Sequence, residues 1–230
     1  MRKTVFLLLL VVIAFYNTAN SQDKKTVKPF KNRFSLSGGM GISMTTSSSF
    51  VDYVRNDIPF SNKDSVKAFG VGLEFFGALE YDVSKHFSLK ADYSYFIKSR
   101  TYNYSYFTYD YFYYVHQPYL MGFYAVRGTS YAFKFGGGLG YHVAQFTKDI
   151  GAGSNLVYNA SGLGYRAEAI FSAQLSKRLG SYISGFVLGT SIGTLKDSNK
   201  NPLKNSQTGE DVNLSSFGVG VRIGFSIYLN

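Results

Sequence analysis

The feature that most narrows what this chain can become is the placement of its charges within segments that alternate with period two. In the closing run "SSFGVGVRIGFSIYLN", Phe217, Val219, Val221, Ile223, Phe225, Ile227 and Leu229 fall on one face, and Ser216, Gly218, Gly220, Arg222, Gly224 and Ser226 on the other. Successive strand residues point to opposite sides of a sheet, so repeated alternation of this kind reads as a series of strands. The pattern recurs from Phe34 to Met44, Phe69 to Tyr81, Phe87 to Lys98, Tyr131 to Val143 and Tyr165 to Leu175. A further segment sets Tyr182, Phe186, Leu188 and Ile192, taken as its bulky face, against Ile183, Gly185, Val187, Gly189 and Ser191. An eighth segment, near "YYVHQPYLMGFYAV", is apolar on both faces and contains Pro118, so periodicity does not assign its facing.

In the seven clear segments the bulky faces carry no charge. The opposite faces hold Glu74, Glu80, Lys90, Asp92, Lys98, Lys134, Arg166, Glu168 and Arg222, five bases and four acids. Placing that set in hydrocarbon would cost about 2 to 4 kcal/mol for each mid-bilayer Lys or Arg. A membrane barrel with the bulky face outward removes the cost, because the charges then line the lumen and pair there. The interior of an eight-stranded barrel is only wide enough to be filled by side chains, which suits small residues interspersed with long ionised ones. A soluble barrel with an apolar cup is the competing arrangement, and it would have to crowd the Phe, Tyr, Leu and Met set inside.

The connections alternate as well. Those at Thr45–Val66, Tyr104–Tyr111, Thr147–Ser161 and Leu195–Asn213 read as long, and those at Asp82–His86, Val126–Ser130 and Ser176–Gly180 as short. Short turns at one end and long loops at the other, with both termini at the turn end, is the arrangement of an even-stranded transmembrane barrel. The fold class expected is therefore all-β: an eight-stranded antiparallel up-and-down transmembrane β-barrel with a filled polar lumen, spanning residues 33–230.

The start of the chain reads as an export signal. Arg2 and Lys3 precede the apolar run Val5–Phe15, and Ala19, Asn20 and Ser21 supply small residues before a cut ahead of Gln22. The run falls short of the roughly 20 apolar residues a spanning helix needs. Residues 1–21 are thus expected to be a signal peptide and 22–32 a periplasmic stub rich in lysine. Removing the signal takes two bases and no acid from the formal charge of +10, leaving +8. An exported chain of this kind has no nucleic-acid partner in prospect. With no cysteine, it forms no disulfide and carries no lipid at an N-terminal Cys.

Candidate chemistry is sparse. His86, His116 and His142 lie apart, and no Ser or Asp beside His142 supplies a nucleophile and base pair. Glu74 and Asp92 would suit an acid–base pair or a cation site, but nearby bases answer the lumen acids almost one for one, which favours a salt-bridged plug. No cofactor and no metal is expected. The Gly-rich strings "GGGLGYH" and "GVGVRIG" lie in alternating strands with no helix following, so a phosphate-cradling reading fails. Eleven of the 20 tyrosines fall between Tyr93 and Tyr124. They read as an interfacial aromatic girdle rising into a tall hairpin, with Tyr102, Tyr104, Tyr106, Tyr109, Tyr111 and Tyr113 as a candidate contact surface for protein or glycan.

Through "FSLSGGMGISM", "HQPYLMGFY", "FGGGLGYHV" and "FGVGVRIGFSIYLN", the chain resembles the small outer-membrane β-barrel proteins of Gram-negative bacteria. It resembles most the porin-like barrel domain of Bacteroidota, a group that includes PorT-like secretion components. The resemblance implies location in the outer membrane, contact with its lipid, and insertion by the barrel-assembly machinery. The function expected is non-enzymatic: surface interaction through the loops, or an accessory part in envelope assembly or secretion. The alternatives are a lipid-modifying enzyme of the outer membrane and a soluble lipid-binding barrel.

Overall fold

The computed structural model describes residues 33–57, 70–104, 107–151 and 154–229. The expected signal peptide, the stub and Tyr106 lie outside the described residues. Eight strands follow one another round the wall: β1 (Phe34–Thr46), β2 (Val71–Asp82), β3 (Phe87–Tyr104), β4 (Phe107–Arg127), β5 (Tyr131–Ile150), β6 (Ser154–Gln174), β7 (Leu179–Ile192) and β8 (Ser216–Leu229). Each pairs antiparallel with its neighbours. The barrel closes between β1 and β8, from Phe34 opposite Leu229 to Thr46 opposite Phe217.

The facing follows the charges. Phe34, Leu36, Met40, Ile42 and Met44 of β1 are exposed on the outside, as are Phe87, Leu89 and Tyr93 of β3 and Phe133, Phe135 and Leu139 of β5. The outward apolar stretches Phe34–Met44, Val71–Tyr81 and Phe87–Ile97 each take eleven residues. At about 3.3 Å per residue and a tilt near 45°, eleven residues rise about 25 Å, the height of a barrel's apolar band. No Asp, Glu, Lys or Arg points outward within this belt in any of the eight strands.

Two facings differ from or complete the sequence reading. β4 turns Tyr113, Val115, Gln117, Tyr119, Met121 and Phe123 inward, leaving Leu120, Tyr124 and Val126 exposed outside. Pro118 sits on the outer set of this strand, opposite Tyr93. β7 is the reverse of the expectation: Tyr182, Phe186, Leu188 and Ile192 are buried inside, and Ile183 and Val187 face out. Its neighbours dictate this, because residues directly opposite share a face. Ser184 lies opposite Arg222 and Phe186 opposite Glu168. β7 carries no charge of its own to mark its inner side, and its large aromatics fill space that glycines on β8 leave open. A Cβ added at Gly220 would lie 2.4 Å from the Phe186 ring.

The wall is uneven in height. The β3–β4 ladder runs on to Tyr104 opposite Phe107, and the β5–β6 ladder to Ile150 opposite Ser154. The β1–β2 ladder ends at Met44 opposite Val71, and the β7–β8 ladder at Thr190 opposite Ser216. In the expected long loops at Tyr104–Tyr111 and Thr147–Ser161, Phe107–Tyr111, Thr147–Ile150 and Ser154–Ser161 are therefore corrected to paired strand that continues above the belt. The expected loop at Thr45–Val66 contains helix α1 (Ser48–Asp57). Phe50, Tyr53 and Val54 recur at helical spacing on its buried side, and Arg55 in its last turn complements the helix dipole.

Candidate functional site

The lumen is packed from end to end, and its middle layer is ionic. Arg222, which is 0 % exposed, bonds Glu74 Oε1 through Nη2 at 2.6 Å and Asp92 Oδ2 through Nη1 at 2.9 Å. Its Nη2 also donates to Ser94 Oγ at 3.0 Å. Arg166 reaches the same Glu74 Oε1 at 2.8 Å, approaches Asp92 at 3.5 Å and donates to Gln117 Oε1 at 3.2 Å. Lys90 bonds Glu168 Oε2 at 2.6 Å and lies 3.4 Å from Asp92. Glu168 Oε1 accepts from the Tyr182 and Ser184 hydroxyls at 2.8 and 2.6 Å.

Three bases and three acids thus form one neutral cluster fed by β2, β3, β6 and β8. Aromatic faces complete it. The Arg166 guanidinium lies 4.4 Å from the Tyr119 ring centroid and 4.5 Å from that of Phe186, and Arg222 lies 4.7 Å from that of Phe76. Stacking of this kind stabilises a guanidinium that has lost its water.

The remaining residues of the expected lumen set lie above and below. Lys134 bonds Glu80 at 2.5 Å, one layer toward the turn end. Lys98 sits toward the loop end, away from the ionic cluster, and donates to Thr45 Oγ1 at 2.6 Å and to its carbonyl at 3.2 Å. Sequence reasoning missed the layer nearest the turns, where Asp82 accepts from Arg127 and from Arg33 Nε at 3.3 Å. Its signal was available, since Asp82 continues the inward parity of Glu74 and Glu80 by two residues. His142 is buried against Tyr119, with ring centroids 5.1 Å apart, and crowds Gly164, where an added Cβ would lie 2.2 Å from Nε2. His116 faces outward, 2.6 Å from the Tyr93 hydroxyl, and His86 stacks on Tyr124 at the turn end. The three histidines do not converge, and among the described residues no group of three or more His, Cys, Asp or Glu is placed to hold a metal ion.

The loop end is capped by a second, aromatic core. Phe50, Tyr53 and Val54 of α1 pack with Phe96, Tyr102, Tyr111, Tyr113 and Phe146 of the tall wall. Leu195, Leu203, Val212 and Leu214 of the β7–β8 connection close it from the other side. Phe50 meets Phe146 edge to face at 5.0 Å, and Tyr111 stacks on Phe146 at 6.1 Å. Asp57 at the end of α1 accepts from Tyr111 at 2.6 Å and pairs with Lys148 at 2.6 Å. Burial and the nearby Asp57 carboxylate push the Tyr53 phenol far above its ordinary range. Between this cap and the Lys98 layer lies a cavity of about 20 Å³, bordered by Thr45, Phe50, Lys98 and Tyr113, room for about one water.

The cap corrects the expected tyrosine contact surface. Tyr102, Tyr111 and Tyr113 are buried inside, and Tyr109 is half-buried against the same core. Tyr104 belongs to β3, and Tyr106 is outside the described residues. Parity explains the placement: Tyr102 lies four residues beyond inward Lys98, and Tyr111 and Tyr113 lie opposite Arg100 and Lys98. The outer face of the same wall carries Thr101, Asn103, Thr108, Asp110, Thr147, Asp149, Asn155 and Asn159 in their stead.

No family model matches the chain, and no curated protein matches it. Among solved structures, Neisserial surface protein A is similar over 86% of this chain and 99% of its own, with a TM-score of 0.50 at 11% identity. Ail, the attachment invasion locus protein of Yersinia pestis, aligns over 87% of this chain and 100% of its own, with a TM-score of 0.47 at 11% identity. The outer membrane protein OprG from Pseudomonas aeruginosa aligns over 86% and 96%, with a TM-score of 0.47 at 12% identity. The likeness to Neisserial surface protein A carries the barrel fold and, at that identity, the fold alone.

Proposed function

We propose that the chain is an integral β-barrel of a bacterial outer membrane, without catalytic activity, that works through contacts made by its loop end at the cell surface or within an envelope assembly. One observation carries the membrane reading: an outward belt free of Asp, Glu, Lys and Arg encloses a lumen in which buried charges are paired. Water would be a poor solvent for that exterior, and hydrocarbon suits it. The packed lumen argues against a diffusion pore, and the engagement of Glu74, Asp92 and Glu168 with arginine, lysine and hydroxyl groups argues against a hydrolytic site.

What supports a contact role is the cap. A barrel needs no ordered core above the membrane to be stable, yet this one builds one from α1, the tall wall and the β7–β8 connection. Such a core holds an outer surface in one shape, which is what recognition of a protein or glycan requires. On this reading outer-membrane lipid is the partner of the belt, the barrel-assembly machinery acts during insertion after removal of a signal peptide, and the porin-like barrels of Bacteroidota are the proposed kin.

The chain has no cysteine, so a single Lys200→Cys substitution in the β7–β8 connection gives a unique thiol. In intact cells it should react with a membrane-impermeant maleimide, and the purified protein should show heat-modifiable gel migration. Protection of Cys at that position in intact cells, with labelling only after lysis, would overturn the assignment of the loop end to the outside.

A further inference from the structure

Among the described residues, net positive charge is gathered at one end of the barrel. In the lumen, Glu74, Glu80, Asp92 and Glu168 are matched by Lys90, Lys134, Arg166 and Arg222. The described loop-end stretches 46–57, 98–104, 107–111, 148–151 and 193–215 hold seven bases and seven acids and so balance. The turn end is different: Arg33, Lys85, Arg127, Lys177 and Arg178 stand there against Asp82.

Position matters as much as sign. The turn end has four stations: the β1–β8 seam and the β2–β3, β4–β5 and β6–β7 turns. Lys85 marks the second, and Lys177 and Arg178 the fourth, on opposite sides of the rim, while Arg33 and Arg127 at the other two stations turn inward to Asp82. Lys85, Lys177 and Arg178 are exposed, and each lies within two residues of an exposed outward apolar side chain, Phe87 or Leu179, that begins the belt. These three bases therefore flank the barrel on two opposite sides at the level where hydrocarbon gives way to headgroups. Outward aromatics share that level, among them Phe34, Phe87, Tyr124 and Tyr131.

We infer that Lys85, Lys177 and Arg178 bind the anionic phosphates of phospholipid headgroups in the leaflet at the turn end, fixing the depth of the barrel in its membrane. The inference rests on the membrane-barrel reading above. Exposed bases on opposite sides of the barrel fit a surrounding lipid annulus, whereas a docked protein would be met by a patch on one side. Arg33 and Arg127 are shared with Asp82, so Lys85, Lys177 and Arg178 supply most of the attraction.

The test uses the full chain reconstituted in phosphatidylcholine vesicles with trace spin-labelled lipids. Labelled phosphatidylglycerol should be immobilised at the protein surface about fivefold more than labelled phosphatidylcholine, the scale one base near an anionic surface supplies. Added salt should reduce the preference. The Lys85→Gln, Lys177→Gln, Arg178→Gln variant should fall to near parity, while Lys196→Gln, Lys200→Gln, Lys204→Gln at the loop end should keep the preference. Parity in the unaltered protein, or a preference that survives in the turn-end variant, overturns the inference. Binding to purified peptidoglycan sacculi that the turn-end variant loses, with lipid selectivity at parity throughout, assigns the three bases to an anionic glycan and also overturns it. Heat-modifiable migration separates the two readings: if the chain keeps it and shows no preference, only the lipid-binding inference fails, and if the chain lacks it, the barrel reading fails.

Discussion

Replacing Arg222 with Met keeps the bulk of the side chain and removes one of three positive charges from the buried cluster. Glu74 keeps Arg166 at 2.8 Å, but Asp92 loses its 2.9 Å partner and retains Lys90 and Arg166 only at 3.4 and 3.5 Å. The cluster becomes net negative, and breaking a buried pair by removing one partner costs about 3 to 5 kcal/mol. Asp92→Asn alone leaves the opposite imbalance, with three bases facing Glu74 and Glu168. The double variant has Lys90 and Arg166 against Glu74 and Glu168 and is balanced again. It should recover about 1 to 3 kcal/mol relative to the sum of the singles. Urea unfolding in lipid vesicles measures this, followed by gel migration and by tyrosine fluorescence, since the chain has no tryptophan. A loss below about 1 kcal/mol for Arg222→Met, or additive single effects, would refute the view that the lumen charges stabilise by mutual pairing.

Other expectations concern the cap and the packing. Asp57→Asn removes the Lys148 ion pair and weakens the Tyr111 bond, so protease should cut near α1 sooner while the gel shift of the barrel stays unchanged. Gly164→Ala drives a Cβ into the His142 ring and should cost about 1 to 3 kcal/mol, with recovery when His142→Ala is added; equal stability of the two variants would count against that contact. The Asp197 carboxyl is held below its ordinary range by the backbone N–H and side-chain amide of Asn201 and by the backbone N–H of Asn199. Because its folded value is the lower one, its contribution to the turn is complete above the ordinary carboxylate range and is lost as pH falls through the folded value. A spin label at Ser198 should gain mobility over that acid range, and Asp197→Asn should flatten the change.

Strand number and the facing of most strands were legible because lipid and lumen impose opposite chemistry on alternate residues, and the charges mark one side. Where that contrast fades, so did the reading. β7 has no charge, and its inner face holds Tyr182 and Phe186 because Gly220 opposite makes room. Above the belt both faces of β3 to β6 are wet or aromatic, so the stretches around Tyr104 and Thr147 looked like loops although their ladders continue. Helix α1 is one ten-residue segment whose apolar side meets the cap, a partner drawn from distant strands that local pattern does not reveal. The lumen charges were recognisable one by one from parity. Their grouping into a six-membered cluster with separate layers at Lys134 and Lys98 depends on the stagger between strands, which a single sequence does not print.

The unequal strand heights give the molecule a front and a back. On one flank a four-stranded panel stands clear of the bilayer and offers Thr101, Asp110, Asp149 and Asn155 sideways, in one row across adjacent strands. On the other flank the ladders stop near the top of the belt at Met44 and Thr190, and α1 and the β7–β8 connection stand above them instead. A neighbour diffusing in the plane of the membrane would therefore meet a flat rampart of strands from one bearing and a helix with irregular chain from the opposite one, so that encounters are sorted by compass direction before any particular side chain is touched.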